Sequence, residues 1–348
     1  MTPSGELLRQ LFRGYTKRDD KVFRAAAEEL IRDERSMNHR LLADDLEHIL
    51  LNGNGLSTER RLLPATSEMP KDKERGFPLL DIAEFSYDWD RIVLPSKSEG
   101  VLRQIAQEHK KRDLLAAGGL SPKQRVLFCG PPGCGKTLAA QVLASVLYYP
   151  LVTVRFDAVV SSYLGETAAN LRRVFEYIQR GRWVVLFDEF DAIGKDRDNP
   201  LEHGELKRVV NSLLQLMDAF RGESLLIAAT NHEKLLDTAI WRRFDAVVPF
   251  GLPTAQDRLL LLRMFLRGFA SPELNLASAS ATLKGGTGAD VEWVALECAR
   301  RALLDGRNKI SRDDLEGGLA SYRDRVEILK KVSSATLDSE SVPVSDSD

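Results

Sequence analysis

The chain has 348 residues, a formal net charge of −2, 43% hydrophobic residues and 29% charged residues. This composition predicts a globular protein of two or three domains, and the small net charge gives no general attraction to nucleic acid or to an anionic membrane. No apolar run approaches the roughly 20 residues of a membrane span, the N-terminus lacks a signal-peptide core, and three cysteines show no metal or disulfide spacing, so we expect a cytoplasmic protein.

Residues 1–51 are predicted to form a small helical domain. Three apolar stripes there repeat with the helical period, within Leu7–Phe12, Val22–Ile31 and Leu42–Leu50. Residues 52–78 are rich in Gly, Pro and charge, which is typical of a linker. We expect the helical domain to dock a client or partner, although its stripes also suit simple packing on one another.

Residues 79–253 are predicted to form an α/β domain. Short apolar runs alternate with helical patterns, and the runs are 125–129, 151–156, 183–188, 224–229 and 246–250. Such alternation predicts βαβ units, hence a parallel sheet with helices on both faces.

The stretch 130–137 fits G-x-x-x-x-G-K-[ST], the phosphate-binding P-loop. An apolar run precedes it and a helical pattern follows, which is the strand–loop–helix context that the motif requires. Lys136 is expected to reach the β- and γ-phosphates of ATP, and Thr137 to place its hydroxyl on Mg²⁺. Cys134 suits either a small packing residue or a thiol activated by the helix N-terminus. The predicted nucleotide-binding residues here are Gly130, Pro131, Pro132, Gly133, Cys134, Gly135, Lys136, Thr137 and Leu138.

The next apolar strand ends in adjacent carboxylates, Asp188 and Glu189. In a P-loop protein Asp188 is expected to hold Mg²⁺ through water, and Glu189 to polarise a water for attack on the γ-phosphate. Two acids after a strand also occur in ordinary solvated turns. The P-loop context favours the catalytic interpretation.

Two further polar positions follow later strands. Asn231 ends a strand and suits a contact with the γ-phosphate and the attacking water, or a simple turn. Arg242 and Arg243 follow a short helix and suit either a solvated face or the stabilisation of charge on a transferring phosphoryl group.

Residues 254–332 are predicted to form a separate helical subdomain. Thr254 with Asp257, and Ser311 with Asp314, have the spacing of helix N-caps and their N3 partners. Residues 333–348 are rich in Ser and Asp, and we expect a disordered tail.

The P-loop, VVLFDEFD, AATNHEKLLDTAIWRRFD and GTGAD segments together resemble the AAA clade of AAA+ ATPases. This resemblance implies that Asn231 is the sensor-1 residue and that Arg242 and Arg243 are arginine fingers acting on ATP in the neighbouring subunit. Many relatives have a Gly before the second Arg, so which Arg dominates stays open. It also implies nucleotide contacts from four more residues: Ile92 and Val93 near adenine, and Gly288 and Ala289 in the lid.

The segment 161–167 places an aromatic–aliphatic–Gly triplet before a helix, and exposed large apolar side chains have no local use in a loop. Tyr163 suits packing on its own domain. The resemblance instead implies a pore loop in which Tyr163 and Leu164 grip an extended polypeptide and Gly165 allows the turn. Residues 196–205 suit either a second pore loop or an ordinary charged surface loop.

Two functions follow from these residues. The first is an ATP-driven protein remodeller or unfoldase that acts as a homo-oligomeric ring, a hexamer by resemblance. The second is a nucleotide-gated switch that holds or regulates a partner without threading. Loading or unwinding nucleic acid is a distant third. No H-E-x-x-H motif is present, so any proteolysis needs another chain, and the layout is similar to bacterial ATPases paired with a subtilisin-like serine protease.

Overall fold

The computed structural model of the chain describes residues 7, 9–13, 20–36, 69–73, 75–160, 164–189, 211–231, 238–271 and 274–339. The chain divides into two compact units, Met1–Glu68 and Met69–Asp348. None of the described helices combines the length and the apolar character that a membrane span requires.

The first unit contains helix α1, Asp20–Ser36. Ala26 and Ile31, from the second predicted stripe, are buried, whereas Val22 is exposed. Residues 9–13 are also helical, and Leu7 is buried. The third stripe, Leu42–Leu50, lies outside the described residues, as does the linker segment 52–68.

The second unit is built on a six-stranded sheet in the order β1-β3-β4-β5-β2-β6. Its strands are β1 Leu80–Ala83, β2 Arg125–Cys129, β3 Leu151–Val154, β4 Val184–Phe187, β5 Leu225–Thr230 and β6 Ala246–Pro249. Strands β2 to β6 pair in parallel and match the five predicted apolar runs. β1 pairs with β3 in antiparallel fashion, so the sheet is mixed rather than wholly parallel.

Helices cover both faces of this sheet, as predicted. The helices of the α/β part are α2 Ser96–Lys110, α3 Arg112–Ala117, α4 Lys136–Leu147, α5 Phe156–Val159, α6 Leu164–Ile178, α7 over 211–219 and α8 Thr238–Trp241. Neighbouring strand residues point to opposite faces. Leu127 packs with the apolar face of α6, and Phe128 packs with α2 and α4.

The segment that precedes β1 is folded onto the sheet. Lys71 and Pro78 form an isolated antiparallel bridge, and the Leu79 N–H donates to the Pro70 carbonyl at 2.9 Å. Arg173 of α6 donates to the Lys71 carbonyl at 2.6 Å. The second unit therefore includes residues 69–73 and 75–78, which composition assigned to the linker. Their Gly, Pro and Asp residues form a tight turn here instead.

The helical lid comprises α9 Ala255–Phe265, α10 Leu276–Thr282, α11 Gly288–Leu304 and α12 Arg312–Ser339. Both predicted caps are present, since the Asp257 N–H donates to Thr254 Oγ1 and the Asp314 N–H to Ser311 Oγ, each at 3.2 Å. A third capping box joins Thr287 to Asp290. α12 continues seven residues into the predicted tail, because each residue added to an existing helix gains a hydrogen bond at little cost in entropy. Residues 340–348 lie outside the described residues.

A buried histidine, His109, predicts that the α/β domain loses stability in acid. His109 is 2% exposed, and its Nε2 lies 2.7 Å from the Lys123 carbonyl oxygen, so Nε2 carries the donated proton. Nδ1 is buried with no hydrogen-bond partner among the described residues. Burial lowers the pKa of His109 from 6.5, against the raising effect of the Lys123 hydrogen bond.

We predict that the contribution of His109 to the free energy of unfolding is fully present above pH 6.5 and is lost as the pH falls below that value. The reason is that the unfolded chain then binds a proton that the buried His109 ring does not bind. The loss cannot exceed about 1.4 kcal/mol per pH unit for one group. His109→Gln keeps a donor for the Lys123 carbonyl and removes the titrating ring, so its urea midpoint should fall less between pH 7.5 and 5.5. Equal declines in both proteins would contradict this role.

Candidate active site

The P-loop leaves β2 at Gly130, under a steric constraint. A Cβ at Gly130 would lie 1.9 Å from the Phe250 carbonyl oxygen, and its φ of +144° is one that side chains rarely adopt. Gly133 and Gly135 also have positive φ, of +74° and +93°. Glycine is therefore required for the loop's path. No side chain caps the first amide groups of α4, and uncapped N–H groups at a helix N-terminus favour anions.

Lys136 is the first residue of α4 and is only 7% exposed. Its Nζ donates to the carbonyl oxygens of Gly130 and Pro131, at 2.7 and 2.9 Å, and to Asn231 Oδ1 at 2.7 Å. Asn231 directly follows β5, the neighbour of β2 in the sheet. Parallel pairing thus brings together two predicted residues that are 95 positions apart in sequence.

The two predicted metal-binding residues also meet. Thr137 Oγ1 donates to Asp188 Oδ2 at 2.8 Å. Asp188 follows β4, which lies beside β5, so its carboxylate belongs to the same edge of the sheet as the P-loop. This edge holds the carboxyl ends of the parallel strands, where ligands bind in open α/β sheets.

Glu189 has an unusual backbone conformation. Among the described residues other than glycine, only Tyr148 and Glu189 have positive φ, and that of Glu189 is 51°. Its N–H donates to Asp188 Oδ1 at 2.9 Å, and its side chain is exposed. Strained backbone of this kind occurs at functional sites because the surrounding structure enforces it.

The lid contacts the P-loop directly. The Ala289 N–H donates to the Gly133 carbonyl at 3.0 Å, and a Cβ at Gly133 would lie 2.9 Å from Thr287 Oγ1. The N-terminus of α11, with Gly288 and Ala289, therefore closes one side of the site.

On another side, a 3₁₀ turn at Trp89–Arg91 leads into Ile92 and Val93. Asp88 accepts from the Trp89 N–H at 2.7 Å, and the Arg103 guanidinium lies 4.6 Å from the centre of the Trp89 ring. These contacts fix the segment that carries Ile92 and Val93 beside the P-loop.

These segments enclose a cavity of about 370 Å³. Most of the predicted site residues line it: Ile92, Val93, Pro132, Gly133, Cys134, Gly135, Lys136, Thr137, Leu138, Asp188, Glu189, Asn231, Gly288 and Ala289. Residues that no motif predicted line it too, among them Arg91, the apolar α9 residues Leu261, Met264 and Phe265, and Glu292 of α11. The apolar pattern of α9 is the feature of the sequence from which Leu261, Met264 and Phe265 could have been found.

Cys134 is a packing residue in this structure. It is buried and belongs to the core formed by α2, α4 and the sheet. Burial raises the pKa of the Cys134 thiol, an effect that outweighs the nearby Lys136 cation. A neutral thiol is a poor nucleophile, which favours packing over redox chemistry.

Gly130 and Pro131 belong to the P-loop but do not line the cavity, and the two predicted arginines lie away from it. Arg242 and Arg243 do not line it, and Arg242 is exposed. The Asp245 N–H donates to the Arg125 carbonyl at 2.8 Å, which places this turn at the amino end of β2, about 16 Å of strand away from the P-loop. Leu164 and Gly165 form the start of α6 and not a loop, since the helix begins at Leu164, and Tyr163 lies outside the described residues, as does the segment 196–205.

Comparison with known proteins identifies relatives along most of the chain. The sequence profile of the "ATPase family associated with various cellular activities (AAA)" matches residues 126–252. A Sinorhizobium fredii protein named "Uncharacterized AAA family ATPase y4kL" is 37% identical over 317 residues, covering 90% of this chain and 94% of the relative. Proteins named "Proteasome-activating nucleotidase" from Thermococcus kodakarensis and Pyrococcus horikoshii are each 30% identical over 272 residues, covering 75% of this chain and 68% of each relative.

We predict that Gly130→Ala lowers both the melting temperature and nucleotide affinity, because the added methyl group meets the Phe250 carbonyl and forces the P-loop to move. Gly100→Ala in α2 is the matched control: its Cβ meets no heavy atom within 4 Å. That change should stabilise the helix by up to about 1 kcal/mol. Scanning fluorimetry and titration with a fluorescent ATP analogue measure both effects. Unchanged binding by Gly130→Ala would refute the constraint.

Proposed function

This chain belongs to the AAA family of ATPases and hydrolyses ATP, and we propose that the hydrolysis drives the remodelling or unfolding of protein clients by a homo-oligomeric ring, a hexamer. The observation that carries the proposal is the convergence of Lys136, Asn231, Thr137 and Asp188 at one end of the cavity. Two relatives that match three quarters of the chain are named proteasome-activating nucleotidases, which supports a role in handling proteins.

In this proposal the P-loop binds the triphosphate. Its uncapped amides and the Lys136 ammonium supply positive charge to phosphate oxygens, which take the place of the Lys136 acceptors in the P-loop. The adenine lies between the Ile92–Val93 segment and the lid residues Gly288 and Ala289. The position of both segments on the cavity wall supports this assignment.

Thr137 and Asp188 are suited to hold magnesium. Their oxygens are 2.8 Å apart at the phosphate end of the cavity, and hydroxyl and carboxylate oxygens are the ligands that Mg²⁺ prefers. When bound, the ion neutralises charge on the phosphates. We assign Thr137 to direct contact with it and Asp188 to contact through water.

Glu189 is assigned as the residue that orients and polarises the attacking water. The water oxygen forms a bond to the γ-phosphorus and gives up a proton to the Glu189 carboxylate, while the bond from the γ-phosphorus to the β–γ bridging oxygen breaks, so ADP and phosphate result. Its left-handed backbone, held by the Asp188 carboxylate, supports a fixed direction for the side chain. Asn231, which already reaches the Lys136 ammonium, is assigned to hold the same water and the γ-phosphate.

Tyr163 is assigned to contact the client. The connection between α5 and α6 is anchored at its base, because Asn170 is fully buried and its Nδ2 donates to the Val159 carbonyl at 3.2 Å. Thr167, one turn earlier, is 2% exposed. α5 follows the carboxyl end of β3, so the connection starts on the same edge of the sheet as the nucleotide site. A fixed base on that edge supports a loop that responds to ATP.

The other parts of the proposal concern the partners of the protein and its cellular compartment. We assign residues 1–51 to docking of the client or a partner, which their membership of a separate compact unit supports. The partner proposed from the resemblance is a separate subtilisin-like protease that degrades unfolded clients. The cytoplasm is the proposed compartment, and the three free, buried cysteines support it.

Glu189→Gln should bind ATP and hydrolyse it at least about 100-fold more slowly, because the phosphate contacts remain while the base is lost. Lys136→Ala should lose binding itself, since it removes the cation nearest the phosphates. Steady-state turnover and bound nucleotide after gel filtration separate the two effects. Turnover of Glu189→Gln within a few-fold of the natural protein would rule out the assigned role.

Tyr163→Ala should retain basal ATPase within about twofold but lose client-stimulated ATPase and unfolding, because an aromatic grip contributes to client contact and not to ATP chemistry. Tyr163→Phe is the control and should retain both activities. The assay follows the fluorescence of a folded reporter that carries an unstructured tail. If Tyr163→Ala unfolds the reporter normally, the nucleotide-gated switch becomes the better function.

A further inference from the structure

The walls of the nucleotide cavity differ in polarity from one part to another. One end holds the polar side chains assigned to the phosphates and magnesium, which are Lys136, Thr137, Asp188 and Asn231. Much of the remaining wall is apolar and is formed by Ile92, Val93, Leu261, Met264 and Phe265. Apolar walls suit the flat faces of a base. The ribose, which joins the base to the phosphates, is the polar part of the nucleotide that still lacks a partner.

Glu292 brings a carboxylate to this cavity. The residue belongs to α11, is half-buried and lines the cavity wall. Its carboxylate makes no hydrogen bond or ion pair with another residue in the part of the chain that the structure describes. Asp257 also lines the cavity, but its Oδ2 accepts from the Thr254 N–H and hydroxyl, at 2.9 and 2.7 Å. Glu292 is therefore available to a ligand that donates hydrogen bonds.

The helix places this carboxylate just beyond the phosphates. Gly288 is four residues earlier in α11, and residues four apart lie on the same face of a helix. That face meets the P-loop, because a Cβ on Gly288 would lie 3.4 Å from the Gly133 carbonyl oxygen. Glu292 lies one turn further along, a rise of about 5.4 Å, and helical side chains lean back toward the N-terminus. In a nucleotide the ribose directly follows the α-phosphate, so this position is nearer to the ribose than to the far edge of the base.

We propose that Glu292 is a specificity-determining residue, which accepts hydrogen bonds from the 2′- and 3′-hydroxyls of the ribose and so selects ribonucleotides over deoxyribonucleotides. The inference rests on the proposed function, in which this cavity binds ATP. Hydroxyls donate and a carboxylate accepts, so the two groups match, and acidic side chains hold a ribose hydroxyl in the same way in dinucleotide-binding folds. Because Glu292 belongs to the lid, the contact joins the lid to the nucleotide whatever the number of phosphates.

The sign of the charge gives the test a clear direction. Without a ribose contact, the Glu292 carboxylate would only repel the phosphates, since like charges in one cavity oppose each other. Its removal would then strengthen the binding of every nucleotide. With the ribose contact, its removal weakens the binding of a ribonucleotide and leaves a deoxyribonucleotide little changed.

Calorimetric titration of the full chain with ADP, 2′-deoxy-ADP and 3′-deoxy-ADP, each with Mg²⁺, measures the contact without turnover. The natural protein should bind ADP about tenfold more tightly than at least one deoxy form, the lower end of the range for a hydrogen bond to a charged group. Glu292→Ala should bind ADP about tenfold more weakly and should bind the three ligands within about twofold of one another. Glu292→Gln keeps an acceptor oxygen without the charge and should retain part of the preference.

Glu297→Ala is the matched control. Glu297 also belongs to α11, does not line the cavity, and forms ion pairs with Arg300 and Arg301. Its replacement removes the same charge from the same helix, so ADP affinity and ribose preference should stay within about twofold of the natural protein. Purine riboside diphosphate, which lacks only the adenine amino group, separates the sugar from the base. Glu292→Ala should weaken this ligand and ADP by the same factor.

The outcomes distinguish the inference from the function beneath it. If the natural protein binds ADP and both deoxy forms equally, or if Glu292→Ala binds them all more tightly, the inference is overturned while the nucleotide site stands. Equal weakening of ADP and the deoxy forms by Glu292→Ala also overturns it, because the carboxylate then closes the lid through another contact, such as an ion pair with Arg91. Loss of the preference for the amino group alone would assign Glu292 to the base instead.

Two further results complete the test. A natural protein that binds none of these nucleotides overturns the proposed function and the inference together. Melting temperatures check that each variant folds. If Glu292→Ala does not fold, the comparison of Glu292→Gln with the natural protein on the same ligands decides, and an unchanged ribose preference in a Glu292→Gln protein that binds every ligand more tightly overturns the inference.

Discussion

The parallel pairing of β2, with β5 on one side and β6 on the other, is the constraint on which the rest of the second unit depends. At the carboxyl end of β2, a Cβ on residue 130 would collide with the Phe250 carbonyl oxygen, so the P-loop has to begin with glycine. At its amino end Arg125 binds the carboxylates that support the arginine turn. The P-loop and the turn that carries Arg242 and Arg243 thus adjoin the two ends of one five-residue strand.

Much of this architecture could be predicted because local signals and global fold agree. The five parallel strands appear as apolar runs, and two lid helices begin at caps that short-range spacing predicts. β1 was missed because four residues on a sheet edge, with mixed burial, give no clear period. The end of α12 was missed because composition predicts disorder where an existing helix can simply continue.

The contacts around the site also divide into those that the sequence predicts and those that it does not. The proximity of Lys136 and Asn231 followed from motif context, since the carboxyl ends of neighbouring parallel strands meet at one edge. The pairing of Arg243 with Asp218 could not be predicted, because it depends on how a helix packs below the sheet and no short motif records that. The cavity-lining residues of α9 were likewise visible as an apolar stripe but not as part of a binding site.

The left-handed backbone of Glu189 has a consequence for how this protein can change over time. That conformation costs a residue with a Cβ about 1–2 kcal/mol, whereas Gly adopts it freely and Asn adopts it more readily than most residues. Selection for thermal resistance alone would therefore favour Gly or Asn at this position. With the role proposed for Glu189, such variants would be stable but inactive, so a laboratory screen for stability must also select for ATP turnover at every round.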